Sequence, residues 1–180
     1  MDQSSSIAIL KSKIEVTAYV ADRLAYSITK ARRLDLDPLS MNKLAVLSDD
    51  EMEVIDAYLF RYGSLVCNIQ DAIFKSIGEV EQEHVSTMSN RDKTNLMERL
   101  GALPSAEEFS SLAVLRNRLM HDYPEEMQKH LDRINFITSE SPRLVEIFLG
   151  IAKYAEKFNI YILMEGLTHL PKLKPHSQTP

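Results

Sequence analysis

Apolar residues recur at three- and four-residue steps along most of the chain, which is the spacing of amphipathic helices. The first run covers residues 4–34, with the serines at its start as predicted N-caps and residues 35–38 as its end. A second run opens at Ser48, where Ser48 and Glu51 form a predicted capping box. The connector at residues 38–47 is apolar for a loop, so we expect it to pack against the helices.

Shorter periodic segments fill the second half of the chain. Each has a residue at its start that favours a helix N-terminus, or a glycine or proline that favours its end. These signals predict a third helix over 91–100, a fourth from Ser105 into the stretch around residue 120, a fifth over 125–138, and a sixth from Ser141 to about Leu167.

Composition agrees with a helical fold, because the strong helix formers are common and the chain has only 5 glycines and 7 prolines. The length of 180 residues fits one domain with a sizeable core. The sequence therefore predicts an all-α bundle of about five to six helices over residues 1–168. A disordered tail is expected over 169–180.

The net charge of −5 does not favour binding to nucleic acid over the whole surface. Residues 1–33 nevertheless carry six basic and three acidic side chains, so charge is distributed unevenly. The single cysteine, Cys67, excludes a disulfide within the chain and is expected to be a buried structural thiol. No apolar run reaches the ~20 residues of a membrane span, and no signal peptide is evident. These features predict a soluble cytoplasmic protein.

The chemistry is expected at the end of the fourth helix, in the stretch LRNRLMHDYP over residues 115–124. Arginine is a planar donor that matches phosphate oxygens. Histidine can accept and release a proton near neutral pH, and an amide can orient either group. Arg116, Asn117 and His121 therefore suit metal-independent cleavage of a phosphodiester, and no histidine or cysteine spacing indicates a metal site.

Helical geometry limits what one copy of this stretch can do. Asn117 and His121 are four residues apart and share a face, whereas Arg116 and His121 differ by about 140° around a straight helix. Two copies related by a two-fold axis could bring both arginines and both histidines to one cleft, which predicts a homodimer. The alternative is that the cations only complement a helix C-terminus, as in a generic helical interaction protein.

The pattern Arg116-Asn117-x-x-x-His121-x-Tyr123-Pro124 resembles the R-x4-H-x-Y motif of the HEPN superfamily. Together with the preceding run of residues 96–109, it is most similar to the HepT-like toxin branch. The closest similarity covers about residues 90–125. This resemblance implies a homodimeric helical bundle that acts as an endoribonuclease on tRNA or mRNA, without a metal or cofactor.

The resemblance also implies a role for each residue of the motif. Arg116 would stabilise the phosphate, Asn117 would be the usual polar residue after it, and His121 would be the acid–base group. Tyr123 matches a tyrosine that a nucleotidyltransferase antitoxin can AMPylate; otherwise it is an aromatic residue packed at a helix end. An alternative within the same family is a non-catalytic HEPN-like subunit that binds a nucleotide or a nucleotidyltransferase.

Overall fold

The computed structural model describes residues 2–119, 127–162 and 165–171, and over residues 117–119 it describes the backbone alone. All regular structure in these ranges is helical, which confirms the all-α prediction. None of the helices in these ranges is long and apolar enough to cross a membrane. The α-helices are α1 (Gln3–Arg33), α2 (Met41–Leu44), α3 (Asp49–Cys67), α4 (Phe74–Val80), α5 (Asn90–Arg99), α6 (Ala106–Leu119) and α7 (Met127–Ala155).

The long helix α1 is the centre of the packing, because it contacts α3, α4 and α7. Its inward positions recur at three- and four-residue steps, and Leu10, Ile14 and Leu24 are almost completely buried. Burial of one such aliphatic side chain is worth about 1.5–3 kcal/mol relative to exposure. The apolar stripe of α1 thus accounts for the way the other long helices gather around it.

The start of α1 differs from the prediction, because the helix begins at Gln3 with Asp2 as its N-cap. Ser6, one of the serines expected to cap it, lies instead on the buried face four residues before Leu10. The predicted capping box of Ser48 and Glu51 is confirmed at the start of α3. The apolar connector packs as expected, with Leu39 buried in the core.

One continuous helix, α7, replaces the predicted fifth and sixth helices and runs through Pro142. Proline has no backbone N–H, so the carbonyl of Thr138, four residues earlier, loses its helical donor. The buried hydroxyl of Tyr58 donates a hydrogen bond to that carbonyl at 3.3 Å. The prediction of a break at Pro142 was wrong because α3 supplies the missing donor. The helix also ends earlier than expected, at Ala155.

The segment that follows α7 returns to α1. The buried carboxylate of Asp22 accepts hydrogen bonds from the backbone N–H groups of His169 (2.6 Å) and Leu170 (3.0 Å). Leu170 is itself buried in the core. His169 and Leu170 were assigned to the predicted tail, but they pack on the bundle. Residues 172–180 lie outside the described residues.

Candidate functional site

The site is built on α6, whose first turn is fixed to α7. The Ser105 hydroxyl accepts a hydrogen bond from the Glu108 N–H at 3.1 Å. The Glu108 carboxylate accepts two hydrogen bonds from Arg143, one from Nε at 2.6 Å and one from Nη2 at 2.9 Å. These hydrogen bonds from Arg143 lower the pKa of Glu108. A bidentate pair of this kind sets both the distance and the rotation of α6 on α7.

The middle of α6 is fixed to α3 by a buried hydrogen bond. The hydroxyl of Tyr62 donates to the carbonyl of Leu112 at 2.9 Å, and burial raises the pKa of Tyr62. Leu112 precedes Arg116 by four residues, so the two share one face and one helical turn. The position of Arg116 relative to α3 therefore follows from this contact.

Between α3, α6 and the start of α7 lies a cleft of about 550 Å³. We call it the Arg116 cleft. Clefts that bind small molecules are usually about 300–1,000 Å³, so this one is large enough for a nucleotide-sized ligand. It is lined by Asp56, Leu59, Phe60, Gly63, Ser64, Cys67, Asn68, Arg116, His130 and Arg133.

Arg116 packs over α3 at a glycine. A Cβ atom placed on Gly63 would lie 3.5 Å from Cγ of Arg116, which is ordinary van der Waals contact. A side chain longer than alanine at this position would extend into the space that Arg116 occupies. Gly63 therefore lets the stem of Arg116 lie close to α3 where the arginine lines the cleft.

The Arg116 cleft is rich in basic groups. Arg116, His130 and Arg133 are half-buried and approach it from two helices, while Asp56 is the carboxylate among its described lining residues. Two guanidinium groups and an imidazole suit an oxyanion such as phosphate, because guanidinium donors match its oxygens in pairs. Among the described residues, no group of three or more histidine, cysteine or acidic side chains is placed to hold a metal ion.

The wall of the cleft contains an irregular stretch of helix. A π-helical segment, Asn68–Ile73, follows α3, and such segments are frequent at functional sites. The Asn68 side chain donates a hydrogen bond to the Ser64 carbonyl at 2.8 Å, at the junction of the two helix types. Cys67 was expected to be a buried structural thiol. It is half-buried and lines the cleft instead.

The structure describes only part of the predicted motif. Arg116 lines the cleft, and Asn117 follows it in α6, where its backbone alone is described. His121 and Tyr123 lie outside the described residues.

Sequence reasoning missed two residues of the cleft, His130 and Arg133. It singled out His121 because that histidine is close to Arg116 along the chain. His130 and Arg133 are three residues apart, so they share one helix face, and this spacing was the available signal. Only the packing of α7 against α3 and α6 brings that face to Arg116.

Compared with protein-family models, curated proteins and solved structures, the chain shows no significant match.

Proposed function

We propose that this protein is a metal-independent endoribonuclease, similar to the HepT-like toxins of the HEPN superfamily. The observation that carries the proposal is that Arg116, the arginine of the R-x4-H-x-Y motif, lines a 550 Å³ cleft together with His130 and Arg133. A generic helix-end arginine has no need of two further basic groups around a concave surface. A phosphodiester is a ligand that uses all three.

The proposed reaction is an internal transesterification. The 2′-oxygen of one nucleotide attacks the adjacent phosphorus, the bond from phosphorus to the 5′-oxygen breaks, and a 2′,3′-cyclic phosphate remains. His121 takes the proton of the 2′-hydroxyl, and the imidazolium so formed gives a proton to the leaving 5′-oxygen. Arg116 donates hydrogen bonds to the phosphate oxygens, where negative charge grows in the transition state.

The proposal includes a homodimer with an antitoxin as its partner. Within one straight helix, Arg116 and His121 differ by about 140° and so do not face the same substrate. A two-fold axis would bring a second Arg116 and a second His121 to that substrate. A nucleotidyltransferase antitoxin would transfer adenylate to the hydroxyl of Tyr123. The added phosphate would bring bulk and negative charge beside the motif and so repel RNA.

A second candidate function is a non-catalytic subunit that binds a nucleotide in the Arg116 cleft. The apolar part of the lining favours it, because Leu59 and Phe60 offer a surface for a base beside the basic groups. The two functions differ in their products. A subunit of this kind would bind a mononucleotide and leave RNA intact.

The test incubates purified wild-type protein and a His121→Ala variant with total tRNA and mRNA in the presence of a chelator. The expected result is cleavage by wild type, unaffected by chelator, and loss of cleavage in the variant. The new ends should carry a 2′,3′-cyclic phosphate, identified by mass spectrometry of the fragments. Intact mass of the wild-type protein must first exclude adenylate on Tyr123, since that would silence the enzyme.

Three results would contradict the proposal. One is a folded His121→Ala variant with full activity, and another is cleavage that stops in chelator. The third is intact RNA with unmodified wild-type protein that binds a mononucleotide, which would support the second candidate function. Circular dichroism of the variant, compared with that of wild type, shows whether it is folded.

A further inference from the structure

A second groove lies on the other flank of α3. It has a volume of about 390 Å³, and we call it the Arg61 groove. Two of its lining residues are arginines, and no carboxylate is among the described residues that line it. The lining residues are Tyr19, Val20, Arg23, Ala57, Phe60, Arg61 and Ser64.

The two arginines of this groove gather around one aromatic ring. The guanidinium carbon of Arg23 lies 4.7 Å from the ring centroid of Tyr26, and that of Arg61 lies 5.8 Å from it. Arg61 also donates a hydrogen bond to the Ser27 hydroxyl at 2.5 Å. Burial and the nearby charge of Arg23 both lower the pKa of Arg61. Two positive groups held this close attract an anion.

Basic groups continue along α1 beyond Tyr26. Lys30 and Arg33 line the adjoining depression together with Tyr26 and His169, again without a carboxylate among its described residues. The His169 ring lies 5.0 Å from the Tyr26 ring, centroid to centroid. Three of the six basic side chains of residues 1–33, Arg23, Lys30 and Arg33, therefore line these two depressions. Tyr26, Lys30 and Arg61 also line a larger depression whose lining includes the carboxylates of Asp50, Glu51 and Glu53.

Helix α3 separates the Arg61 groove from the Arg116 cleft, and the aromatic side chain of Phe60 lies between the two. Phe60 and Ser64 line both depressions. Arg61 and Gly63, two residues apart, differ by about 200° around the helix and so belong to opposite flanks. The Phe60 side chain is 76% exposed between them. A helix with its side chains is about 10–12 Å across, which sets the distance from one flank to the other.

We propose that single-stranded RNA crosses α3 here, with a base stacked on Phe60 and flanking phosphates bound by the Arg23–Arg61 pair and by the Arg116 cleft. This inference rests on the proposed function and extends it, because it names an unpaired strand as the substrate class. Alternating aromatic and basic side chains are the general means of holding single strands without reading their sequence. A duplex would bury its bases and could not stack on Phe60.

A second copy of the chain is the rival occupant of this face. Tyr19, which lines the groove together with Phe60, is more than half exposed, and exposed aromatic side chains of this kind suit protein contacts. A two-fold interface centred here would, however, bring Arg23 and Arg61 of both copies together. Charge complementarity therefore favours a polyanion over another copy of the same surface.

The experiment measures binding of a fluorescent, fully 2′-O-methylated oligomer of about 12 nucleotides by anisotropy, so that no cleavage can occur. The variants are Phe60→Leu, which keeps an apolar side chain but removes the ring, and Arg23→Gln with Arg61→Gln. The matched control is Arg91→Gln with Lys153→Gln, a pair of exposed cations that line neither depression. Since Arg61 also binds Ser27, Arg23→Gln alone tests the groove if the double variant fails to fold.

We expect Phe60→Leu to weaken binding roughly tenfold, as for loss of one stacked base. The arginine double variant should lower the slope of log K against log salt by about 1.4, because each phosphate contact on a single strand contributes about 0.7. The control pair should leave the slope closer to that of wild type. A duplex of the same sequence should bind more weakly than the single strand.

Equal binding by wild type and the groove variants would overturn the inference, even if wild type cleaves RNA. Absence of oligomer binding by wild type would overturn it too. Dissociation of a dimer by Phe60→Leu, with unchanged RNA affinity, would assign the face to a second copy. Loss of binding in the groove variants would support the inference even if no RNA were cleaved, so its outcome and that of the proposed function are separable.

Discussion

Charged side chains have different surroundings at the two ends of the α6–α7 helix pair. At one end Arg143 donates two hydrogen bonds to Glu108 and a third to Glu146, so each charge has a defined partner of opposite sign. At the other end the same two helices present Arg116, His130 and Arg133 to a 550 Å³ cleft whose described lining includes one carboxylate. The first arrangement holds two helices together, and the second leaves a concave basic surface.

We infer from this difference that Arg143 has a structural role, and we propose a functional role for the basic groups of the Arg116 cleft. Surface ion pairs contribute about 0–1 kcal/mol, and their value lies in geometry. The three basic side chains at the other end line one cleft, and basic groups arranged in this way suit an anion. We therefore expect changes at the Glu108 end to affect stability and changes at the Arg116 end to affect RNA cleavage.

After Arg116, His130 is the residue whose substitution should reduce RNA cleavage most. His130→Gln keeps a polar side chain but removes the group that can carry positive charge. Loss of one hydrogen bond to a charged phosphate is worth about 1.5–3 kcal/mol, so kcat/KM should fall at least tenfold. Steady-state kinetics on a fluorogenic RNA measures it, with thermal melts as the control. An unchanged kcat/KM would remove His130 from the site.

Tyr62→Phe tests how much the hydrogen bond between α3 and the middle of α6 stabilises the protein. It removes the hydroxyl that holds the Leu112 carbonyl and should lower the free energy of unfolding by about 1 kcal/mol. Tyr58→Phe is the matched change. It should cost more, about 1–3 kcal/mol, because the Thr138 carbonyl has no helical donor at Pro142. Urea titrations compare the two, and equal losses would contradict the role assigned to Tyr58.

Glu108→Gln should remove the pH dependence that the Glu108–Arg143 pair gives to the free energy of unfolding. Arg143 lowers the pKa of folded Glu108, so the pair stabilises the protein above the unfolded pKa of about 4.3. That contribution is lost as pH falls through the lower folded pKa. Because Arg143 is 40% exposed, solvent screening limits the contribution to about 0.5–1 kcal/mol. Urea titrations from pH 7 to pH 3 should show wild type and variant converging; a constant difference would contradict this.

The smallest effect is expected at Gly63. Gly63→Ala should stabilise α3 by about 0.5–1 kcal/mol, because alanine fits at 3.5 Å from Arg116 and favours the helix. Gly63→Leu should instead reduce cleavage, since its side chain reaches into the space of Arg116. Thermal melts measure the first change and initial rates the second. Destabilisation by alanine would show that Arg116 packs more tightly than described.

Local signals predicted the local structure well. Periodicity and the Ser48 capping box located α1 and α3, and Gly101, the glycine that follows α5, has the left-handed backbone that often ends a helix. These features depend on residues within one or two turns of each other. Sequence reasoning could therefore identify them without knowing how the helices pack.

Tertiary contacts decided what local signals could not. Pro142 lies inside α7 because Tyr58, distant in sequence, satisfies the Thr138 carbonyl. His130 joins Arg116 only through the packing of α7, so proximity in sequence drew attention to His121 alone. The motif singled out Arg116, whose role stays a prediction, whereas its neighbours across the cleft could be identified only from the fold.

We propose that the Arg116 end of the α6–α7 pair performs the chemistry. The most direct test compares initial rates of RNA cleavage, in chelator, for wild type, Arg116→Ala and Arg143→Ala. Loss of Arg116 should lower the rate about a hundredfold or more, the usual cost of removing a group that stabilises a developing oxyanion. Loss of Arg143, an arginine on the same helix pair that orients α6 but does not line the cleft, should lower stability and reduce the rate far less than loss of Arg116. Cleavage by folded Arg116→Ala at the wild-type rate would contradict the account.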